Sequence, residues 1–575
     1  MKTRQSSGVV QDKKNSNIEN MHPESNKKTK ICSSHAASAR KRSLKVHSPN
    51  VPKKKGKTIN EVTPLKCITA TKKVFAFKGY VPVDEECVDC INQFHVYQCG
   101  DSVYHAMLNQ TDVGRNNNKY YLIQLLKDNK TDEYCAWFRW GRVGKIAGTN
   151  LQRLPRDKAI SVFKKKFLDK TKNHWEERFS FEKVAGKYDL LKMDYGQTEP
   201  ETNASQHNPQ PEVKSKLAQS LQNLLALLFD TNEFEQIMRE MQYDVKKAPL
   251  GKLNECQIQA GYASLRNIET SIRKGNRKAL VDACNEFYTR IPHDFGMKRP
   301  PVLDKLVDVK QKTELLQALS DIRVAISLLD KTAPVETYEN PLDKHYKSLD
   351  CELVPVDENT DEFRLIEIYA KNTHADTHRN FQLSIDKVFS VFKEDQACCF
   401  KKHLGNRMLL WHGSRLTNWC SILKRGLMIA PPEAPSTGYM FGKGIYFADM
   451  VSKSANYCFA SQRQPVGLLL LCEVALGNVS EKTSADYDGH DLPKGKHSTK
   501  GVGKTQPDQR GFIVTDDEVC VPCGKPVHVK EAEGSALLYN EYVVYHPDQV
   551  KPRYLVQLNF QFNQGWWYKH WQVLA

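Results

Sequence analysis

The sequence predicts an α+β multidomain chain: a disordered basic N-terminal tail, a small β-rich module, an all-α bundle and a mixed, β-rich C-terminal domain. Three changes of pattern predict it. Basic residues without aromatics give way to aromatic and β-branched runs near residue 73. Those runs give way to leucines at helical spacing near residue 213, and strand patterns return after residue 341. A chain of 575 residues has room for about three or four domains.

The tail, 1–72, carries most of the charge. The chain holds 84 Lys+Arg against 67 Asp+Glu, a net +17. Residues 1–60 hold 15 Lys+Arg and 3 Asp+Glu, which is +12 and leaves +5 for the rest. With no aromatic before Phe75, the tail cannot bury enough apolar surface to offset its ordering entropy. Arg40-Lys41-Arg42, a ten-residue gap and Lys53-Lys54-Lys55 read as a bipartite nuclear-import signal, so the expected location is the nucleus. No apolar stretch follows Met1 and none reaches about 18 residues, which predicts neither secretion nor a membrane partner. Sixteen cysteines in so long a chain are no disulfide framework and point to a reducing compartment.

In the second segment, 73–195, Tyr120–Leu126 and Ala136–Trp140 read as strands between Asn and Gly clusters, and Lys158–Lys172 as a helix. Polar residues 196–212 form a linker. In 213–340, Leu217, Leu221, Leu224, Leu225 and Leu228 share one helical face, as do Leu315, Leu319, Ile322 and Ile326. Breaks fall at Pro249-Leu250-Gly251 and Arg299-Pro300-Pro301. These stripes are core and carry no chemistry. In 341–575, Gly467–Val474, Tyr542–Tyr545 and Arg553–Phe562 read as strands.

Chemistry concentrates between Arg407 and Tyr457. Met408-Leu409-Leu410-Trp411 delivers His412-Gly413-Ser414-Arg415, and Gly438-Tyr439-Met440-Phe441-Gly442-Lys443-Gly444-Ile445-Tyr446 follows. Lys453-Ser454-Ala455-Asn456-Tyr457 closes the stretch. Glycines allow close backbone approach and aromatics offer flat faces, so the pattern suits an extended, ring-bearing, phosphate-bearing ligand. Gly413 can present one N–H and one C=O to a planar carboxamide, Ser454 a third hydrogen bond, and Tyr457 and Tyr446 faces for the ring. Glu541 opens the apolar run Tyr542-Val543-Val544-Tyr545.

Two patterns point elsewhere and fail. Cys87-x2-Cys90-x4-His95-x3-Cys99 is one residue short of a zinc-knuckle spacing, and Cys520-x2-Cys523 has no second pair, so no metal is expected. Lys500-Gly501-Val502-Gly503-Lys504-Thr505 would need glycine at Ser498 to be a phosphate-binding loop.

The residues from Arg407 to Tyr457, with Glu541, resemble the signature of the poly(ADP-ribose) polymerases, which are NAD-dependent ADP-ribosyltransferases. The resemblance runs from about Lys73 to Phe562, and the module order is similar to the short, DNA-damage-dependent branch of that family. It implies a β-rich NAD-binding transferase fold, and no G-x-G-x-x-G opens a βαβ unit here. It implies NAD+ as substrate, with His412, Gly413, Ser414, Asn418, Gly438, Tyr439, Tyr446, Ser454 and Tyr457 binding it. His412 would bond the adenosine-side ribose, near Ser414 and Asn418. The catalytic set would be Glu541, His412 and Tyr446, with Lys453 near the same ribose as Glu541. Gly495–Thr499 and the loop that follows match the family's active-site loop.

Trp140-Gly141-Arg142 resembles the motif that names the WGR domain, a DNA-binding module, and the run Lys164–Trp175 extends the match. The resemblance implies stacking on an exposed terminal base pair and binding of a 5′ phosphate at nicks or ends, through Trp140 and Arg142. Asn118, Lys119 and Tyr188 would be further contacts. The bundle would restrain NAD access until DNA binds, and histones and other chromatin proteins would be acceptors. The same residues also suit a DNA-dependent mono-ADP-ribosyltransferase or a DNA-end scaffold without catalysis. Three departures stand out. Met428 occupies a position where relatives carry Arg at the adenosine end, and Arg323 and Ile326 replace an acidic and an aromatic residue after Asp321. The C-terminus, Gly565–Trp571, is longer than the Leu-Trp ending by which relatives are recognised by an accessory histone PARylation factor.

Overall fold

The structure, a computed structural model, describes residues 81–100, 102–193, 213–245, 252–330 and 339–563. The basic tail with its import signal, the linker 196–212, the break at Pro249–Gly251 and the aromatic C-terminus lie outside the described residues.

Among the described residues, the first module is built on a six-stranded antiparallel sheet centred on Asn117–Asp128 and Tyr134–Arg142. Alternation sends Tyr121, Ile123, Phe138 and Ala136 to one core, and Tyr120, Leu122, Trp137 and Cys135 to another. With both faces covered, the strands read as nearly continuous apolar runs. Helix α1, Arg156–Thr171, covers the first face with Phe163 and Phe167, and Trp175 packs edge-on to both. The helix starts two residues before the expected Lys158, with Pro155 at the N-cap position and no side-chain capping bond. Cys87, Cys90 and Cys135 sit together in the second core, and the His95 ring bonds Asn129 at 2.8 Å.

The bundle comprises α2 (Gln219–Leu228), α3 (Thr231–Glu240), α4 (Glu255–Arg273), α5 (Arg277–Arg290) and α6 (Leu306–Asp330). Asp230, Asn254 and Asn276 start α3, α4 and α5 by accepting backbone N–H groups, each cap contributing about 1 kcal/mol. Leu217, placed on the α2 face by its spacing, precedes the helix and is half-buried. In α6, Leu315, Leu316, Ala318, Leu319, Ile322 and Ala325 are buried, an arc of roughly half the helix. That arc exceeds a single stripe because α6 lies between α4 and the short helix Trp419–Arg425 of the next domain. Ile326, expected on the stripe, is only half-buried.

The C-terminal region opens on a helix, not a strand. Asn340 caps α7 (Pro341–Leu349), with proline at its first turn, and α7 packs on α2. Helix α8 (Asp361–Asn372) follows a Thr360 cap. The expected strands then appear as Val466–Ala475, Glu541–Val544 and Val550–Phe562. The first and third lie inside a seven-stranded sheet, where Val466–Ala475 is flanked by Arg407–Ser414 and Val550–Phe562. The second belongs to a four-stranded sheet with Ile445–Phe447 and Ser498–Gly501. One apolar core runs from Leu224 and Phe234 through Leu316 to Trp419 and Leu470, so bundle and strand domain share an interior.

Candidate active site

The sheet register assembles the site from three distant segments. Arg407–Ser414 pairs along its whole length with Val466–Ala475, which pins His412 and Gly413 at its exit. Trp411 bridges to Ala448, anchoring the strand Ile445–Phe447 beside it. Glu541–Val544 pairs antiparallel to that strand, with Phe447 opposite Tyr542, so Glu541 arrives close to Tyr446 and His412.

These segments enclose a cleft of about 440 Å³, bounded by His412, Gly413, Tyr446, Ser454, Tyr457 and Glu541. Its other end is formed by Ser414, Asn418, Met428, Gly438 and Tyr439. Every residue expected to bind substrate or carry catalysis therefore lines one cavity. Position 413 must be glycine, since a Cβ there would lie 1.9 Å from the Ser454 carbonyl oxygen. The Ser454 hydroxyl donates to the Trp411 carbonyl at 3.0 Å, and its proton must turn to reach a ligand carbonyl. The Tyr446 hydroxyl accepts from Phe441 N–H at 3.0 Å and donates to the Gly442 carbonyl at 2.7 Å, which ties the glycine-rich loop to the strand. Tyr457 is 46% exposed, a free face at the cavity mouth.

His412 donates from Nδ1 to the Tyr446 carbonyl at 2.8 Å, so Nε2 carries the free lone pair. Burial holds its pKa below the ordinary 6.5, and the ring is neutral near pH 7. Asn418 donates to Ser414 Oγ at 2.9 Å and orders that end of the cleft. Lys453 Nζ lies 3.0 Å from Glu541 Oε1 and donates to the carbonyls of Tyr539 and Asn540 at 3.0 and 3.1 Å. Burial pulls the Lys453 pKa down while Glu541 opposes it. The contact with Lys453 is made through Glu541 Oε1.

Sequence reasoning missed Asp449. It is 1% exposed, and its Oδ2 accepts from Asn540 Nδ2 at 2.7 Å and from the Tyr542 hydroxyl at 3.1 Å. It thus grips the residues on both sides of Glu541. The available signal was the alternation in Phe447-Ala448-Asp449, which turns this carboxylate away from the cleft. Asp449→Ala would leave the buried Tyr542 hydroxyl unpaired and Asn540 Nδ2 with only a 3.4 Å bond to Gln506, a cost of about 1–3 kcal/mol for the lost pairing. We expect kcat to fall at least about tenfold with KM for NAD little changed, and Asp449→Asn, which keeps one acceptor, to restore most of it. Steady-state NAD turnover checks both, and equal losses in the two variants would remove the positioning role.

Sequence reasoning also gave the bundle no part in the site, yet α6 contributes Lys310, Gln317 and Asp321 to the cleft wall. Asp321 accepts from Gln317 at 2.8 Å and from Arg425 at 3.1 Å. Glu314 pairs with Arg415 at 3.3 Å, Glu233 with Arg463 through two bonds of 2.6 and 2.7 Å, and Glu269 accepts from Ser436 N–H and the Thr437 hydroxyl. Each is an acidic group of the bundle on a donor of the strand domain.

In the first module the expected DNA contacts divide. Trp140 is half-buried and stacked on Tyr121, with centroids 5.7 Å apart and planes at 8°. Lys170 sits 4.3 Å over Tyr121, and Lys119 5.4 Å over Tyr188. Burial and the Lys166 and Lys119 charges push the Lys170 pKa down. Asn118 is a correction. It is 1% exposed and donates to the His293 carbonyl of the bundle at 2.8 Å, out of reach of a ligand. Arg142 is another. Its guanidinium donates to the carbonyls of Gly296, Lys298 and Asn116 at 2.6, 2.6 and 2.7 Å, so it ties the module to the bundle instead of offering a free anion site.

The sheet order, the NAD-sized cleft and the bundle against it define an ADP-ribosyltransferase catalytic domain with a regulatory partner, and the comparisons agree. The sequence matches the WGR domain over residues 104–182, the poly(ADP-ribose) polymerase regulatory domain over 215–346 and the poly(ADP-ribose) polymerase catalytic domain over 360–560. It is 49% identical to poly [ADP-ribose] polymerase 2 of Homo sapiens over 510 residues, 87% of each chain. It is 44% identical to poly [ADP-ribose] polymerase 2 of Zea mays, covering 88% of this chain and 77% of that one. With poly [ADP-ribose] polymerase 1 of Gallus gallus it shares 41% over 91% of this chain and 51% of that one. The chain belongs to the poly(ADP-ribose) polymerase family and is an NAD+ ADP-ribosyltransferase of that type. The catalytic domain of this family uses NAD+ as substrate, and the cleft lining offers a glycine edge at Gly413, aromatic faces at Tyr446 and Tyr457 and the Glu541 carboxylate.

Proposed function

We propose that this polymerase is nuclear, that DNA breaks activate it, and that it builds poly(ADP-ribose) on itself and on histones and other chromatin proteins in DNA repair signalling. The observation that carries the DNA step is the chain of contacts from the first module through the bundle to the cleft. Trp140, Tyr188, Lys119 and Lys170, backed by the buried Tyr121, form an aromatic, cationic surface suited to a terminal base pair and a 5′ phosphate. The same sheet donates to bundle carbonyls through Asn109, Asn118 and Arg142. The bundle in turn packs α6 along the cleft. A force on the sheet therefore has a continuous packed path to the NAD site, which restrains access until DNA binds.

The chemistry follows from the site residues. Gly413 and Ser454 hold the nicotinamide carboxamide and the tyrosines its ring, so the C1′–N bond is presented to Glu541. As nicotinamide leaves, positive charge grows on the ribose, and Glu541, oriented by Lys453, stabilises it through the 2′-hydroxyl. A carboxylate in that place can also align an incoming ribose hydroxyl, which favours chain elongation over a single transfer.

The test is NAD turnover with and without a nicked, 5′-phosphorylated duplex. Strong stimulation and a polymer ladder are expected. A single-unit product at high NAD would make the chain a mono-ADP-ribosyltransferase, and no turnover would leave a DNA-end scaffold. Lys170→Glu is expected to weaken duplex binding about tenfold or more at low salt and to flatten its salt dependence. Anisotropy titrations at two salt concentrations check this, and an unchanged slope would place DNA on another surface.

A further inference from the structure

One residue beside the nicotinamide end of the cleft is held in a conformation that its own bulk resists. Phe459 has φ of +51° and ψ of +35°, the left-handed region, which a large side chain rarely enters. It is 47% exposed, so burial does not account for its place. The partner of its ring is Arg415, whose guanidinium carbon lies 3.4 Å from the ring centroid, a close cation–π contact. Backbone strain of this kind persists only where the surroundings over-determine it, and it gathers at functional sites.

The contact joins the two walls of the nicotinamide pocket. Arg415 directly follows His412-Gly413-Ser414 at the exit of the strand Arg407–Ser414. Phe459 ends the single 3₁₀ turn Asn456–Cys458, with its N–H donating to the Asn456 carbonyl at 3.4 Å, and that turn carries Tyr457. The turn itself is anchored within the domain. Asn456 Nδ2 lies 3.1 Å from His378 Nε2, and Cys458 Sγ donates to the Leu468 carbonyl at 3.3 Å. With Tyr457 half-exposed, the backbone of this turn does much of the aiming of its ring. Arg415 also pairs with Glu314 of α6 at 3.3 Å. Arg415 and Phe459 both belong to the catalytic domain, however, so their contact does not require α6 to stay seated.

We propose that Phe459, clasped by Arg415, is a positioning residue for nicotinamide: it holds the Tyr457 turn at the spacing from Gly413 that one aromatic ring requires. This rests on the NAD+ reading of the cleft and extends it. The clasp touches no reacting atom and acts through Tyr457. If Phe459 relaxed out of the left-handed region, the end of the turn would rotate and carry the tyrosine face away from the ring. Loosening the clasp therefore weakens the nicotinamide end and leaves the adenosine end of the cleft as it is.

The test uses the full chain with the nicked duplex bound. Two probes are titrated: benzamide, which reaches the nicotinamide end alone, and ADP-ribose, which lacks that ring. For Phe459→Gly we expect benzamide affinity to fall about three- to tenfold with ADP-ribose unchanged. KM for NAD+ should rise by a similar factor at nearly constant kcat. The thermal midpoint should hold, since glycine enters the left-handed region without strain. Arg415→Gln should give the same benzamide loss, and Phe459→Tyr, which keeps the ring, should match the parent. In a Tyr457→Ala background, Phe459→Gly should add little further loss. Unchanged benzamide affinity in Phe459→Gly overturns the proposal, and so does an equal loss for both probes or full additivity with Tyr457→Ala. If Phe459→Gly folds poorly, Arg415→Gln decides by the same criteria. Failure of the parent to bind benzamide would instead sink the nicotinamide-site reading beneath it.

Discussion

Glu541→Gln is expected to lower nicotinamide release by about 100- to 1,000-fold, the loss typical of removing one preorganised group at a developing charge. The amide keeps the volume and can still accept one hydrogen bond, so the cleft should bind benzamide as before. What it loses is negative charge 3.0 Å from the Lys453 ammonium, at the one place where the leaving nicotinamide creates a cation. KM for NAD+ should therefore change much less than kcat. The polymer ladder should disappear before residual NAD+ cleavage does, because elongation needs the same carboxylate for the acceptor. Turnover within a factor of two of the parent would remove Glu541 from the mechanism.

Arg142→Ala is expected to uncouple DNA binding from activity. The fork of Arg142 joins the sheet loop at Asn116 to the bundle loop at Gly296 and Lys298. Its removal leaves those bundle carbonyls without the donor and loosens the link between module and bundle. Duplex affinity, set by Trp140, Lys119 and Lys170, should stay within about threefold, while DNA-stimulated turnover falls about tenfold or more. Lys should not substitute, since one ammonium cannot span carbonyls on two loops with a planar fork. Anisotropy and nicotinamide release on the same samples decide it. Parallel loss of affinity and activity would return Arg142 to the DNA surface.

The residues that line the cleft were legible because a binding cleft constrains residue type at short range. Gly413 has no room for a Cβ, Tyr446 pairs with Val543 two residues from Glu541, and the motifs keep these residues within short segments. Helix starts were legible wherever a local cap sets them, as at Asp230, Asn254 and Asn276. Three things were not. Asn118 and Arg142 sit in a DNA-module motif, yet their partners lie about 150 or more residues away in the bundle. The α6 stripe was read as plain core, but a helix buried on half its surface can carry core residues toward one domain and cleft residues toward another. Asp449, given no role from the sequence, proved to be the clamp on Asn540 and Tyr542.

By itself the sequence determined the order of modules, the signature around His412 and Tyr446, and the placement of Glu541 at the head of an apolar strand. Such features depend on local periodicity, caps and residue chemistry, which a linear chain displays. Only the tertiary structure decided which groups are already engaged. It tied Arg142 to bundle carbonyls, and it brought residues of α6 to the wall of the cleft. A side chain's function depends on its unsatisfied charge and hydrogen bonds, and those are settled by neighbours that the sequence keeps far apart.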